Sequence, residues 1–544
     1  MPSDGVACHN QRDALCWLGY ILLPTSIIEL TAGEEQELSR RVRSSTVSTR
    51  NSLQASYLIE HLLRFVILLV VLLGIFVFGV VAGYKPLVGF IIAIAIGFVA
   101  LYYARPVWFA YLTVFLLCFA GLLHLPVTTG GFSSAVAISS VALGLSIFGC
   151  LLTRDHQLIK IFTHRFDLLL PLVFFVAMMI SMKNSREIGF SFIQIQQFLY
   201  IIIIYYFMQL VIRNRRSLDI ACLVFIIGGF CVEIIGLYEG ILLTPIYVLT
   251  GGKSLLGADL SDTFVVAVEG GRINGVIGDA PFHGIFITVT AAFSMYFLFS
   301  SKRYILKVFC ILVFILAIYN VVGSGSRGAF IAFVSTLFVF WTFATIPHKM
   351  VFLVVAVIIC IVVISVLMLF VSERASTIRI FTSNSKTSET AEMRVKNIPV
   401  ALKMFFDYPV VGIGPDGFVI NFGRYAANVS NLSSRENVMK THNTPVQILA
   451  EYGLVGFTIF VLIIFTAARR MITFMRGAID RRDQMLAVTL LATIVGYVFF
   501  MLTSNSLLDM YFWLIIIFAQ VFTSVSLDQV HLPKGSVRFS SGKV

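Results

Sequence analysis

Charge is what this chain has least of. Asp, Glu, Lys and Arg make up only 12% of its 544 residues, while 58% are hydrophobic; a soluble domain has about 25% charged residues. That excludes a water-soluble core. The apolar stretches also lack the polar–apolar alternation of barrel strands, which excludes a transmembrane β-barrel. The eight cysteines, Cys8, Cys16, Cys118, Cys150, Cys222, Cys231, Cys310 and Cys360, never fall in a CxxC spacing, so neither a zinc site nor a disulfide framework is implied. The N-terminus has an apolar patch, Ala14 to Leu30, interrupted by Pro24. It lacks the charged leader and small-residue cleavage site of a secretory signal and reads instead as an interfacial helix on a cytoplasmic tail.

What the chain does have is apolar runs of helix-spanning length. They fall at roughly 63–83, 87–104, 107–125, 133–152, 166–182, 192–212, 218–241, 282–299, 305–322, 328–346, 350–371, 453–468, 485–503 and 507–526. The expected fold is all-α, a polytopic transmembrane bundle of about 14 spans.

Basic residues orient it. With Arg40, Arg41, Arg43 and Arg50 inside, alternate connections carry Arg154/Lys160/Arg165, Arg213/Arg215/Arg216, Lys302/Arg303/Lys307, Lys349 and Arg469/Arg470/Arg476/Arg481/Arg482. All these clusters then face the cytoplasm, as do both termini. The net charge of +12 is explained by this rule and carries no nucleic-acid signal. The expected organisation is a cytoplasmic tail over 1–60, N-terminal transmembrane helices over 61–241 and a first extracytoplasmic loop over 242–281. Central helices follow over 282–371, then a large extracytoplasmic loop over 372–452, C-terminal helices over 453–526 and a cytoplasmic tail over 527–544.

The large loop looks ordered. Ala391 to Asp407 has helical periodicity with Met393, Val400, Met404 and Phe405 on one side, ending at Asp407-Tyr408-Pro409 and the Gly412-Ile413-Gly414-Pro415-Asp416-Gly417 turn. Thr444-Pro445-Val446-Gln447 has the form of a capping box that starts a helix through Ala450. His442 and Asn443 therefore sit ahead of a helix N-terminus, where backbone N–H groups favour an anion.

Three arginines stand out. Arg327, in Gly323-Ser324-Gly325-Ser326-Arg327-Gly328, falls between two apolar spans, where an unpaired guanidinium costs roughly 2.5–3.5 kcal/mol on insertion scales. Arg272, in Gly271-Arg272-Ile273-Asn274-Gly275, precedes the eighth span, and Arg394 lies in the amphipathic loop helix. Their forked, permanently charged donors would suit a diphosphate if they converge. Taken singly, an arginine at a membrane boundary more often snorkels to headgroups, and a lone loop histidine such as His442 is more often a surface or capping residue. Glu233 and Glu239 read either as relay carboxylates or as an ion pair within the bundle.

The motifs Gly271 to Gly275, Gly325-Ser326-Arg327-Gly328-Ala329, Met404 to Gly417, and Thr441-His442-Asn443 leading to Glu451-Tyr452-Gly453-Leu454-Val455-Gly456 together resemble the O-antigen ligase and polymerase superfamily of bacterial membrane glycosyltransferases. The resemblance covers roughly 265–470. It implies a GT-C-like helical fold that takes a glycan from undecaprenyl diphosphate without metal or other cofactor. Carried over by motif, His442 is the catalytic base or acceptor-orienting residue. Arg272, Arg327 and Arg394 bind the diphosphate, with Asn443 and Glu451 as further substrate-binding residues. One departure is that Pro281 is followed by Phe282 and His283, where the family often has Pro-Asn.

The resemblance implies a polymerase of O-antigen or exopolysaccharide repeat units in the bacterial inner membrane. The close alternative is a ligase that passes the finished chain to lipid A-core or another acceptor. Partners implied are the lipid-linked glycan, an acceptor glycan or glycolipid, membrane lipid, and polysaccharide export or chain-length proteins. The outer loops carry no Asp-x-Asp for a metal. A transporter or flippase would be expected to show internal repeats and midplane sites; no repeat is detected, and the distinctive residues crowd the outer face.

Overall fold

Backbone polar groups in hydrocarbon must be satisfied within the chain, and a helix does this locally. The computed structural model describes residues 102, 105–120, 140–145, 166–242, 272–346, 349–350, 385–429, 440–478 and 480–531, with backbone only at 242, 385–394, 428–429 and 527–531. The chain divides into two units, Met1–Ala100 and Leu101–Val544, and the first lies outside the described residues. So do the Ala14 to Leu30 patch, the expected span 63–83, all of 350–371 but residue 350, all of 87–104 but residue 102, and all of 133–152 but the helical 140–145.

Among the described residues every regular element is helical: α1 (Pro106–Cys118), α2 (Phe166–Ser181), α3 (Ile188–Val211), α4 (Arg215–Leu242), α5 (Ala280–Ser300), α6 (Tyr304–Gly323), α7 (Arg327–Phe343), α8 (Ser385–Asp407), α9 (Gly417–Val429), α10 (Thr444–Gly477), α11 (Arg481–Met501) and α12 (Met510–His531). Seven are long and apolar enough to cross a membrane, and α1, α7 and α12 add shorter apolar segments. All ten coincide with expected spans. The chain is an all-α, multi-pass membrane protein.

Helix α5 is the axis of the bundle, packed by α4, α6, α7 and α11. It is apolar all round, as a helix enclosed by protein must be, and 83% of its spanning window is buried. Small residues allow the approach: a Cβ on Gly284 would lie 2.6 Å from the Ala329 Cβ, so α5 and α7 meet nearly backbone to backbone.

Up-and-down connectivity sorts the polar residues to two ends. At one end, Arg215 pairs with Asp219 and, through Nε at 2.6 Å, with Asp483; Arg482 reaches Asp219 at 3.0 Å. Tyr296 Oη donates to Asp219 at 2.7 Å, and Arg470 pairs with Asp167 at 2.6 Å. The connections and first helical turns at this end hold Arg213, Arg216, Lys302, Arg303 and Arg481. The opposite end gathers residues 182–187, 272–279, 323–327, 408–417, 440–453 and 502–509, which include the distinctive motifs.

Candidate functional site

The loop helices form a small apolar cluster. Val400, Ala401 and Met404 of α8 bury against Ile413, Phe418, Phe422, Tyr425, Ala426 and Ala450. The helix expected at 391–407 is longer, starting at Ser385; Val400 and Met404 lie on its buried side, as their i, i+4 spacing requires.

The two glycine motifs are halves of one joint. Ile413 N donates to Ala450 O at 2.9 Å and Gly414 N to Glu451 O at 3.0 Å; Leu454 N donates to Pro409 O at 2.8 Å and Val455 N to Val410 O at 3.1 Å. Such contact leaves no room for side chains. A Cβ on Gly453 (φ 63, ψ −163) would lie 2.4 Å from Val410 O, and one on Gly412 (φ 75) 2.3 Å from the Glu451 carbonyl carbon. The Gly453 backbone conformation is open essentially to glycine alone, and it breaks α10 into a loop segment over 444–452 and a spanning segment from 454 onward. The α2–α3 connection and the first turn of α3 complete the joint: Asn184 Nδ2 donates to Gly412 O at 2.8 Å and Ser191 Oγ to Pro415 O at 2.7 Å.

The start of α10 differs from the expected capping box. Asn443, not Thr444, is the cap, its Oδ1 accepting from Val446 N at 3.1 Å. Gln447 does not reach back; its Nε2 donates to Glu451 Oε2 at 3.2 Å. Thr444 is taken by the α11–α12 connection, with Oγ1 donating to Ser504 O at 2.7 Å and accepting from Ser506 N at 2.8 Å. Thr441 Oγ1 donates to Asn505 Oδ1 at 2.8 Å and Asn443 Nδ2 to Leu502 O at 3.2 Å. The Thr441 to Thr444 segment is thus stitched along residues 502–506, with His442 half-buried at φ 50.

Arg327 reaches the same neighbourhood. It opens α7 and is exposed, while a Cβ on Gly328 would meet Thr503 Oγ1. Arg272 flanks the same 323–326 turn: its Nε donates to Ser324 O at 2.8 Å and Ile273 N to Gly323 O at 3.0 Å. The structure therefore brings Arg272 and Arg327 to one turn and sets the His442–Asn443 segment on the adjoining loop. Both α7 and α10 begin here with no acidic residue in their first turns, so two helix N-termini add to the preference for an anion. Arg394 lies in α8, and its side chain is outside the described residues.

Glu451 lies elsewhere. It is fully buried and lines a cavity of about 140 Å³ with Asp416, Gln447, Gln194 and Asn505. Burial pushes the Asp416 carboxyl above its ordinary value, against the pull of Lys440 and the hydrogen bond from Gln194, whose Nε2 donates to Oδ1 at 2.9 Å.

Sequence reasoning singled out Glu239 without its role and missed Gln194 and Gln197. Glu239, read as a relay or ion-pair residue, accepts from the backbone N–H of Asn274 at 3.1 Å and Gly275 at 2.7 Å. It therefore anchors the Arg272 segment. Glu233 is fully buried, and neither of its oxygens is hydrogen-bonded. Gln194 and Gln197 of α3 carry no local signal at all.

Residues 312–461 match the family model described as O-antigen ligase. The match takes in the Arg327 turn, the Gly412 to Gly417 turn, His442 and Glu451; Arg272 precedes it. No curated protein matches this chain.

Proposed function

Because residues 312–461 match the O-antigen ligase family model, we propose that the chain is a glycosyltransferase-like enzyme of ligase or polymerase type. From that premise we propose that it transfers a glycan from undecaprenyl diphosphate to an acceptor sugar hydroxyl, on the outer face of the bacterial inner membrane and without a metal. The observation that carries this reading is the meeting of Arg272 and Arg327 at the 323–326 turn, beside the loop that holds His442. In the step, the bond from the sugar anomeric carbon to the diphosphate oxygen breaks and a bond to the acceptor oxygen forms. His442 takes the hydroxyl proton, and the diphosphate leaves with its charge held by guanidinium groups. Arg394, Asn443 and Glu451 complete the proposed substrate-binding set.

The concentration of Arg and Lys at the end opposite the motifs supports a cytoplasmic placement of that end. It also supports extracytoplasmic loops at 242–281 and 372–452 and both tails inside.

Repeat-unit polymerisation is the activity we favour, given two substantial outer loops. The description of the matched family favours ligation as the second reading. Purified protein in nanodiscs, given a lipid-diphosphate-linked glycan, tests both. A ladder on the lipid carrier is expected for a polymerase and a single transfer to a glycolipid for a ligase. His442→Ala and Arg327→Ala should each abolish transfer, and full activity in both variants would remove the assignment.

A further inference from the structure

The cavity at Glu451 is built as a receptor for hydroxyl groups. Glu451 Oε2 accepts from Gln447 Nε2 at 3.2 Å, but Glu451 Oε1 and Gln447 Oε1, both buried, have no hydrogen-bond partner. Burial pushes the Glu451 carboxyl up to about 8, so a protonated carboxyl oxygen and an amide oxygen, both buried and without partners, call for a ligand whose groups can both donate and accept, as hydroxyls do. The rest of the lining is polar as well, with Gln194, Gln197, Asp416 and Asn505 around the same space. Leu507 and Leu508 add apolar surface against which C–H groups can pack. Alternating hydroxyl-directed carboxylates and amides with a short apolar face match the alternating O–H and C–H surface of a sugar ring.

Size and charge narrow the ligand. The cavity volume of about 140 Å³ equals about five waters at roughly 30 Å³ each, which is the scale of one sugar ring. Lys440 also lines the space and opposes a metal ion. Asp416 already balances Lys440, and burial pushes the Glu451 carboxyl up to about 8, so a uronate would be enclosed here without a counter-charge of its own.

We propose that this cavity binds one neutral sugar ring of the acceptor, which rests on the transferase reading above. Thr441 carries the link to the reaction centre: it follows Lys440, donates to the cavity-lining Asn505 at 2.8 Å and precedes His442. A ring seated here holds the acceptor chain beside the imidazole. Glu451 and Gln447 are binding residues in this role, and neither takes a proton from the reacting hydroxyl.

The test is binding, measured without turnover. Full-length protein in nanodiscs is mixed with methyl glucoside, galactoside, mannoside and N-acetylglucosaminide, and separately with methyl glucuronide, and saturation-transfer NMR is recorded. At least one neutral glycoside should receive saturation and the glucuronide none. Glu451→Leu, similar in size and without polar atoms, should weaken binding about tenfold, the effect of losing one hydrogen bond. Leu508→Trp, which fills the space and leaves every polar group in place, should abolish the signal. No neutral glycoside bound by the parent protein, or an undiminished signal in Leu508→Trp, overturns the proposal. His442→Ala should bind glycosides normally. A failed transfer assay alongside intact, Leu508-sensitive binding would therefore sink the transferase reading and leave the receptor.

Discussion

Thr444 gives its hydroxyl hydrogen to the carbonyl of Ser504 at 2.7 Å, a contact between residues 60 positions apart. The same oxygen accepts the amide of Ser506 at 2.8 Å, so one buried side chain closes two bonds between the α10 start and the α11–α12 connection. Thr444→Val keeps the shape and removes both bonds, stranding a buried carbonyl and a buried amide at roughly 1–3 kcal/mol each. We expect a lower Tm in nanodiscs and a loss of kcat larger than any rise in KM, because His442 is displaced while the arginines stay. Thr444→Ser should restore both. Equal Tm and kcat in the Val variant would show that the stitch does not hold the site.

The Gly412–Gly453 joint predicts a contrast between glycines. Gly453→Ala would force a Cβ into Val410 O at 2.4 Å and a backbone state closed to alanine, costing about 1–3 kcal/mol in conformation alone. At Gly423, inside α9, an added Cβ would meet nothing within 4 Å. There alanine should stabilise by about 0.5–1 kcal/mol, through helix propensity. Limited proteolysis of the large loop should be faster than the parent in the first variant and unchanged or slower in the second. The reverse order would refute the joint.

How far the sequence carries depends on range. Apolar runs such as Ala280 to Ser300 declare helices because the bilayer imposes length and apolarity locally. The glycines and prolines of Asp407 to Gly417 declare a tight turn for the same reason. The N-cap lies one residue before Thr444, which has the local look of a cap; only its partners on residues 504–506 withdraw it from that role. The cavity is invisible in the sequence for a stronger version of this reason. Gln194 meets Asp416 across 222 residues, and an amide within an apolar helix leaves no periodic mark. The joining of Arg272 and Arg327 at one turn is expected from the resemblance, since like charges alone would separate; that Glu239 secures one of them is not.

Glu239 gives a prediction that separates positioning from binding. Its Oε2 accepts from the Asn274 and Gly275 amides, and those residues closely follow Arg272. Glu239→Leu should loosen that segment and raise the KM for the lipid-linked donor roughly tenfold, as expected for hydrogen bonds to a charged acceptor, with the acceptor KM unchanged. Glu239→Gln keeps an oxygen for the two amides and should restore most of the donor affinity. A Leu variant with parental donor KM would show that Arg272 is held in place without Glu239.

Asp416 provides the pH dependence. Burial raises its carboxyl, and Lys440 and Gln194 offset only part of the rise. In the unfolded chain the group titrates at about 3.9. Because the folded protein holds the proton to higher pH, its stability is greatest below the unfolded value. Stability then falls as pH climbs from there through the raised folded value. Asparagine carries no such charge, and its carbonyl can still accept from Gln194 Nε2. The Tm of Asp416→Asn relative to the parent should therefore increase between about pH 4 and pH 7, by an amount equivalent to about 1.4 kcal/mol for each pKa unit of the rise. A Tm difference that stays constant, or narrows toward neutrality, would mean that the carboxylate is solvated and that the wall of the cavity is open to water at that point.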